Sequence, residues 1–285
     1  MFRHALAVLA LGARFLFAQQ QVYIEPPHDS GQGVTPAYEG WFPNPDGSFS
    51  LLFGYYNRNL KQDLDIPIGP DNRIEPGGPD QGQPTHFLTR RRWGMFTITV
   101  PKDFGGKKLT WTLVANGKTA QIPVGLDALW ELNPFKDATG NTPPSIGFAQ
   151  DGPFLTGPFV NNPGGHLQAL STTMPSPAPL TVWVADDASV IPGATRPRTP
   201  AVTLTWSKFR GPGDVTFSSE RPTIENAEVR GAPNPVFSGK ASTTATFSEP
   251  GEYVLHVTAN DWTGDGGRGF QCCWSTAQVK VSVNK

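Results

Sequence analysis

Apolar and polar residues alternate with period two along much of this chain, and almost no stretch keeps a 3.6-residue apolar period. In residues 48–56, Phe49, Leu51, Phe53 and Tyr55 fall on one face, the pattern of a half-buried strand. Asn44-Pro45-Asp46-Gly47 before it reads as a turn, with Asp-Gly supplying the positive-φ position. Phe96, Ile98 and Val100 make the inward face of another strand, with Thr97 and Thr99 outward. Leu109, Trp111 and Leu113 do the same in a third, and Asn116-Gly117 then turns tightly into residues 119–124. In the second half, residues 181–185, 202–208, 243–247, 253–259 and 279–283 are strand-like. The alternation sends Trp111 and Trp206 into cores, and sends His256 to the outer face of its strand, into solvent. The pattern predicts an all-β chain of two β-sandwich domains.

The expected division is a first domain over residues 19–125, a connector over 126–142 and a second domain over 143–285. One helical turn is expected near Leu129-Trp130-Glu131. Within the first domain, residues 63–83 are long and dense in Pro, Gly and Asp. A loop of that kind is either a functional segment or an ordered cover over a sheet edge.

The second domain carries a resemblance. Pro143-Pro144-Ser145-Ile146 opens it, followed by the Trp-bearing run Val202-Thr203-Leu204-Thr205-Trp206 and the turn Gly211-Pro212-Gly213-Asp214. The corner Phe247-Ser248-Glu249-Pro250-Gly251-Glu252-Tyr253 comes next, then Asn260-Asp261, and finally Val279-Lys280-Val281-Ser282-Val283. In this order the segment resembles a PKD-type domain, an immunoglobulin-like sandwich of bacterial secreted proteins. The departures are insertions at 187–200 and 219–242 and an adjacent Cys pair. The resemblance implies a spacer or binding module outside the cell without catalytic residues. The first domain is left unassigned to any family.

Composition narrows the partner. Met1-Phe2-Arg3-His4 is a short basic leader, residues 5–18 are mostly apolar with Arg14 interrupting, and Gln19 begins a polar run. This layout predicts a secretory signal peptide over residues 1–18, and no later segment is apolar and long enough to span a membrane. Of 23 basic and 24 acidic residues, Arg3 and Arg14 leave with the leader, so 21 minus 24 gives the mature chain a net charge of −3. That is too near neutral for nucleic acid or an anionic membrane to be the partner. An envelope or extracellular protein, or a polysaccharide, is expected instead.

Candidate chemistry is sparse. Trp41, Phe42, Tyr55, Tyr56 and Trp93 could stack on sugar rings, or be core and corner residues as such aromatics usually are. Arg90-Arg91-Arg92 could form a glycan-binding patch or pair with the acids of the 63–83 loop. His86 lies near both and is the one histidine with an enzyme-like setting, against a reading as a hydrogen-bonded loop residue. No nucleophile elbow, phosphate loop or HExxH pattern occurs. No cofactor is called for except calcium, for which Asp261 and Asp265 on a Gly-rich loop, with Asp186 and Asp187, offer oxygens; Asx-turns are the alternative. Cys272 and Cys273, the only cysteines, either bond to each other, stay reduced, or cross-link chains. The expectation is an exported, non-catalytic binding or structural protein. The alternative is a carbohydrate-binding accessory protein or hydrolase with its site in the first domain.

Overall fold

The computed structural model describes residues 28–158, 167–193, 201–263 and 272–285, so the expected leader lies outside the described residues. The first half supplies β1 (Val34–Pro43), β2 (Phe49–Asn57), β3 (Leu64–Asp65), β4 (Asn72–Glu75), β5 (His86–Phe87), β6 (Arg90–Val100), β7 (Leu109–Ala115) and β8 (Lys118–Val124). Sheet β1-β2-β6 packs on sheet β4-β7-β8, and β3 pairs with β5 at one end. Phe53, Phe96 and Trp111 fill the space between the sheets. Phe53 stacks on Phe96 at 4.8 Å, and Trp111 meets both edge-on. β1 was not marked by alternation. Pro36 and Pro43 interrupt its pattern, which an edge strand tolerates because one side of its backbone has no ladder partner.

A 3-10 turn over Ala128–Trp130 follows, N-capped by the Asp127 side chain. The second half supplies β9 (Ser145–Gly147), β10 (Leu167–Thr173), β11 (Ala178–Asp186), β12 (Thr203–Arg210), β13 (Val215–Phe217), β14 (Glu225–Asn226), β15 (Phe237–Phe247), β16 (Gly251–Asn260) and β17 (Trp274–Asn284). Sheet β10-β17-β16-β12 faces sheet β9-β11-β15-β13, with β10 running parallel to β17. That strand order is the immunoglobulin-type sandwich. Its core is aliphatic (Val182, Leu204, Leu255, Val279) around Trp206, the buried Trp of the third long strand.

Tyr253 makes the corner that leads into β16. Its hydroxyl donates to Glu249 O at 2.7 Å and accepts from Gly213 N at 3.0 Å, tying two turns to one ring. Tyr253→Phe keeps the ring but orphans a buried N–H. It is expected to lower stability by about 1–3 kcal/mol, read from urea denaturation.

Candidate functional site

The 63–83 segment is ordered from the inside by amides. Asn72 Nδ2 donates to Ile66 O (2.9 Å) and Pro84 O (2.7 Å), and its Oδ1 accepts from Trp111 Nε1 (3.1 Å). Gln83 Nε2 donates to Pro79 O at 3.0 Å. Both side chains are fully buried. A Pro- and Gly-rich run has few ladder bonds, so these amides satisfy backbone carbonyls that would otherwise be stranded.

The segment and the β5 strand after it dock on β12, which lies at the edge of its sheet. A bulge between Lys208 and Arg210 displaces Phe209 from the second sandwich, and its ring is buried in the core of the first. Thr85 N donates to Phe209 O at 3.1 Å. On either side, Lys208 Nζ donates to Asp65 Oδ1 at 3.0 Å, and Arg210 grips Asp80 with two bonds of 2.8 Å while its Nε donates to Gln83 O. Burial alone would raise the Asp65 carboxyl, but the hydrogen bonds and charges of His86 and Lys208 outweigh it and hold it below the usual range. The Arg210 fork, chiefly through its hydrogen bonds, lowers Asp80 likewise. Of the two roles open to this loop, it fills that of edge cover, and the edge belongs to the other domain.

A second contact lies beside it. The Trp274 indole packs with Phe42, Leu52 and Trp93. It sits where a Cβ on Gly94 would be, 2.6 Å from Cζ2, and Gly94 has φ +53°, so a side chain is excluded there on both counts.

Between these contacts, along β12, runs a cleft of about 500 Å³ whose walls include Asp63, Asp65, His86, Arg92 and Lys208, with Glu220 and Arg221 opposite. It shares Leu88, Arg92, Thr205 and Ser207 with a smaller inner pocket of about 30 Å³ that reaches His256 and Trp274. His86 Nδ1 lies 3.0 Å from Asp65 Oδ1, and Nε2 lies 4.0 Å from Asp63 Oδ2. The ring therefore bridges two carboxylates.

His256 is corrected. It is on the outer face as expected but only 2% exposed, because the first domain covers that face; its ring stacks on Phe209 at 5.7 Å. Burial drives its pKa down to about 4. Among the described residues neither ring nitrogen has a hydrogen-bond partner, nor do Trp274 Nε1, Thr276 Oγ1 and Gln278 Nε2. Gln278 pairs across the ladder with His256 and Thr276 with Thr258, so these groups share one buried face. An unpartnered buried polar group costs on the order of 1–3 kcal/mol, so such a concentration is uncommon in a joint that only has to hold.

The aromatic candidates separate. Tyr55 is fully buried, with its hydroxyl accepting from Leu88 N at 2.9 Å. Trp41 is 9% exposed and donates from Nε1 to Asp127 O at 2.8 Å. Neither can stack on a ligand, since the alternation that places Tyr55 on the Phe53 face turns it inward. Tyr56 is 45% exposed. Trp93 is partly buried beneath the Arg91 guanidinium, 3.8 Å from its ring centroid. The five aromatics thus form no common platform. Among the described residues the arginine run does not pair with the 63–83 acids either: Arg91 bonds the buried Glu39 at 2.6 Å, across a slot kept open by Gly54, while Asp65 and Asp80 turn to the second domain and Glu75 pairs with Arg73.

Asp261 is buried. One carboxylate oxygen accepts from Thr263 N and Oγ1, both at 2.7 Å, and the other from Asn141 Nδ2. This is the Asx-turn arrangement, and burial pushes the carboxyl up. Asp265 lies outside the described residues, among which no group of three or more His, Cys, Asp or Glu is placed to hold a metal. Cys272 and Cys273 are joined by a disulfide and buried, with Cys273 Sγ 3.3 Å from Asn141 O, so they present no platform to solvent.

No protein-family model and no curated protein matches the chain. Among solved structures it is similar to a titin fragment (9% identity, 89% of this chain and all of that one, TM-score 0.25). An intimin domain matches at 12% identity over the same shares, with TM-score 0.23. An endo-fucoidan hydrolase of glycoside hydrolase family 107 matches at 10% identity, over 91% of this chain and 27% of that one, with TM-score 0.24. Scores this low carry no argument about function. Among the described residues, no helix is long and apolar enough to cross a membrane.

Proposed function

We propose that this chain is an exported, non-catalytic binding or structural protein of the cell envelope or extracellular space, its second domain of PKD type. The observation that carries the reading is the joint. Phe209 in the neighbouring core, flanked by the Lys208–Asp65 and Arg210–Asp80 pairs, couples two sandwiches into one unit suited to presenting a surface at fixed orientation. Native purification from the source envelope under non-reducing conditions tests it. Another envelope component is expected to co-elute in fixed ratio, and elution as a lone monomer counts against an assembly role.

A second reading, a secreted hydrolase, is favoured by one observation: the cleft holds His86 with two carboxylates. Against it, a general base needs a ring nitrogen turned toward substrate, whereas both His86 nitrogens face Asp63 and Asp65. His86→Ala is expected to weaken the joint, seen as a lower melting temperature, with no polysaccharide hydrolysis in either protein. Hydrolysis by the wild type that His86→Ala abolishes would establish the enzyme.

A further inference from the structure

Resting on the binding reading above, we infer that the cleft between the sandwiches is a site for a neutral, hydroxyl-rich ligand, one or two sugar rings, with the inner pocket receiving a ring substituent. Three observations converge. The first is size: about 500 Å³ suits a small sugar, while the inner pocket, at about 30 Å³, has room for roughly two water-sized groups and so admits a hydroxyl or hydroxymethyl but no ring.

The second is the unpartnered set. Of these, Trp274 Nε1, a donor, and the neutral His256 ring, with one donor and one acceptor nitrogen, line the inner pocket, where Ser207 adds a hydroxyl; Thr276 and Gln278 share the same sheet face without lining it. Hydroxyl groups, which both donate and accept, complement such a mixture. A carboxylate or phosphate, which only accepts, would leave the acceptor nitrogen of His256 unmet. The third is charge. The outer cleft mixes four carboxylates (Asp63, Asp65, Asp214, Glu220) with three cations (Arg92, Lys208, Arg221), a near balance that offers neither an anionic nor a cationic ligand a field of one sign. Trp93 and Trp274 give the inner pocket a partly apolar wall, which suits the CH₂ of a hydroxymethyl group.

The residues concerned are not the aromatic group that the sequence suggested. Of the binding candidates, only Trp93, His86 and Arg92 line the cleft or its inner pocket, and the unpartnered polar groups come from β16 and β17 of the second domain.

Tryptophan fluorescence tests this, since Trp274 and Trp93 lie in the pocket wall. The mature protein, His256→Leu and Ser207→Ala are titrated with maltose, cellobiose and lactose, and with glucuronic acid as the charged control. A saturable change with at least one neutral disaccharide is expected, absent with glucuronic acid. Each variant should bind about tenfold more weakly, the equivalent of one lost hydrogen bond, while melting no lower than wild type. Ser207→Ala, at a residue that borders both the cleft and the inner pocket, guards against a local rearrangement around the Phe209 ring in His256→Leu. No saturable response to any neutral disaccharide, undiminished affinity in both variants, or preference for glucuronic acid overturns the inference. Loss of the sugar response with retained co-purification of an envelope partner would remove this inference and leave the binding reading standing.

Discussion

Phe209→Ala is expected to lower the stability of the protein by about 3–5 kcal/mol, the range for deleting a buried Phe ring from a core that cannot close around the space. The ring belongs by chain to the second sandwich and by packing to the first, so its removal acts on both. The backbone bond from Thr85 and the ion pairs of Lys208 and Arg210 remain. Asp65 and Asp80 are both about half exposed, however, and exposed pairs contribute only about 0.2–1 kcal/mol each. They set the register of the joint more than its strength. Denaturation of Phe209→Ala should therefore split into two transitions where the wild type shows one. A single transition with a loss under about 1 kcal/mol would mean the ring is not what couples the domains.

Acid should weaken the wild-type fold earlier than its carboxylates alone would. His256 has a folded pKa of about 4 against 6.5 unfolded, so between those values the unfolded chain binds a proton that the folded one refuses. Stability is therefore full above pH 6.5, falls as pH drops, and has lost this contribution by pH 4. A shift of that size corresponds to about 3 kcal/mol. Facing His256 are Ser207 and Gln278 on the adjoining strands and, from the first domain, Arg92 in the same pocket. The raised Asp261 carboxyl works the other way, gaining stability as pH falls through its folded pKa. Comparison with His256→Leu cancels that contribution. The variant should match or exceed wild type at pH 7 and lack the loss between pH 6.5 and 4, measured by urea midpoints across that range. An unchanged acid limb would show the ring to be hydrated in the folded state. Because Phe209 covers His256, Phe209→Ala should flatten the same limb by restoring water to the imidazole.

Much of the architecture was legible because alternation is a local property. Phe49, Leu51, Phe53 and Tyr55, and again Tyr253, Leu255 and Val257, state their inward face within one strand, and Asp46-Gly47 and Asn116-Gly117 state where the chain reverses. Trp111 and Trp206 were assigned to cores on that basis, and both are fully buried. β1 escaped because its two prolines obscure a pattern that only its edge position permits.

The site was another matter. Alternation correctly put His256 outward, but outward from one sandwich is not outward from the molecule. Likewise Asp65 and Asp80 have a natural partner in sequence in Arg90-Arg91-Arg92, yet they meet Lys208 and Arg210, more than a hundred residues away. Period-two patterning records which side of its own sheet a residue takes. It holds nothing about which second sheet will cover that side, because docking depends on shapes and charges brought together only after each sandwich has closed. The long alternating strands, the turns between them and the inward faces of the two cores were therefore determined by the sequence in itself. The joint, the cleft along β12 and the unpartnered polar groups behind it were decided by tertiary structure, where two surfaces each satisfactory in water became each other's environment.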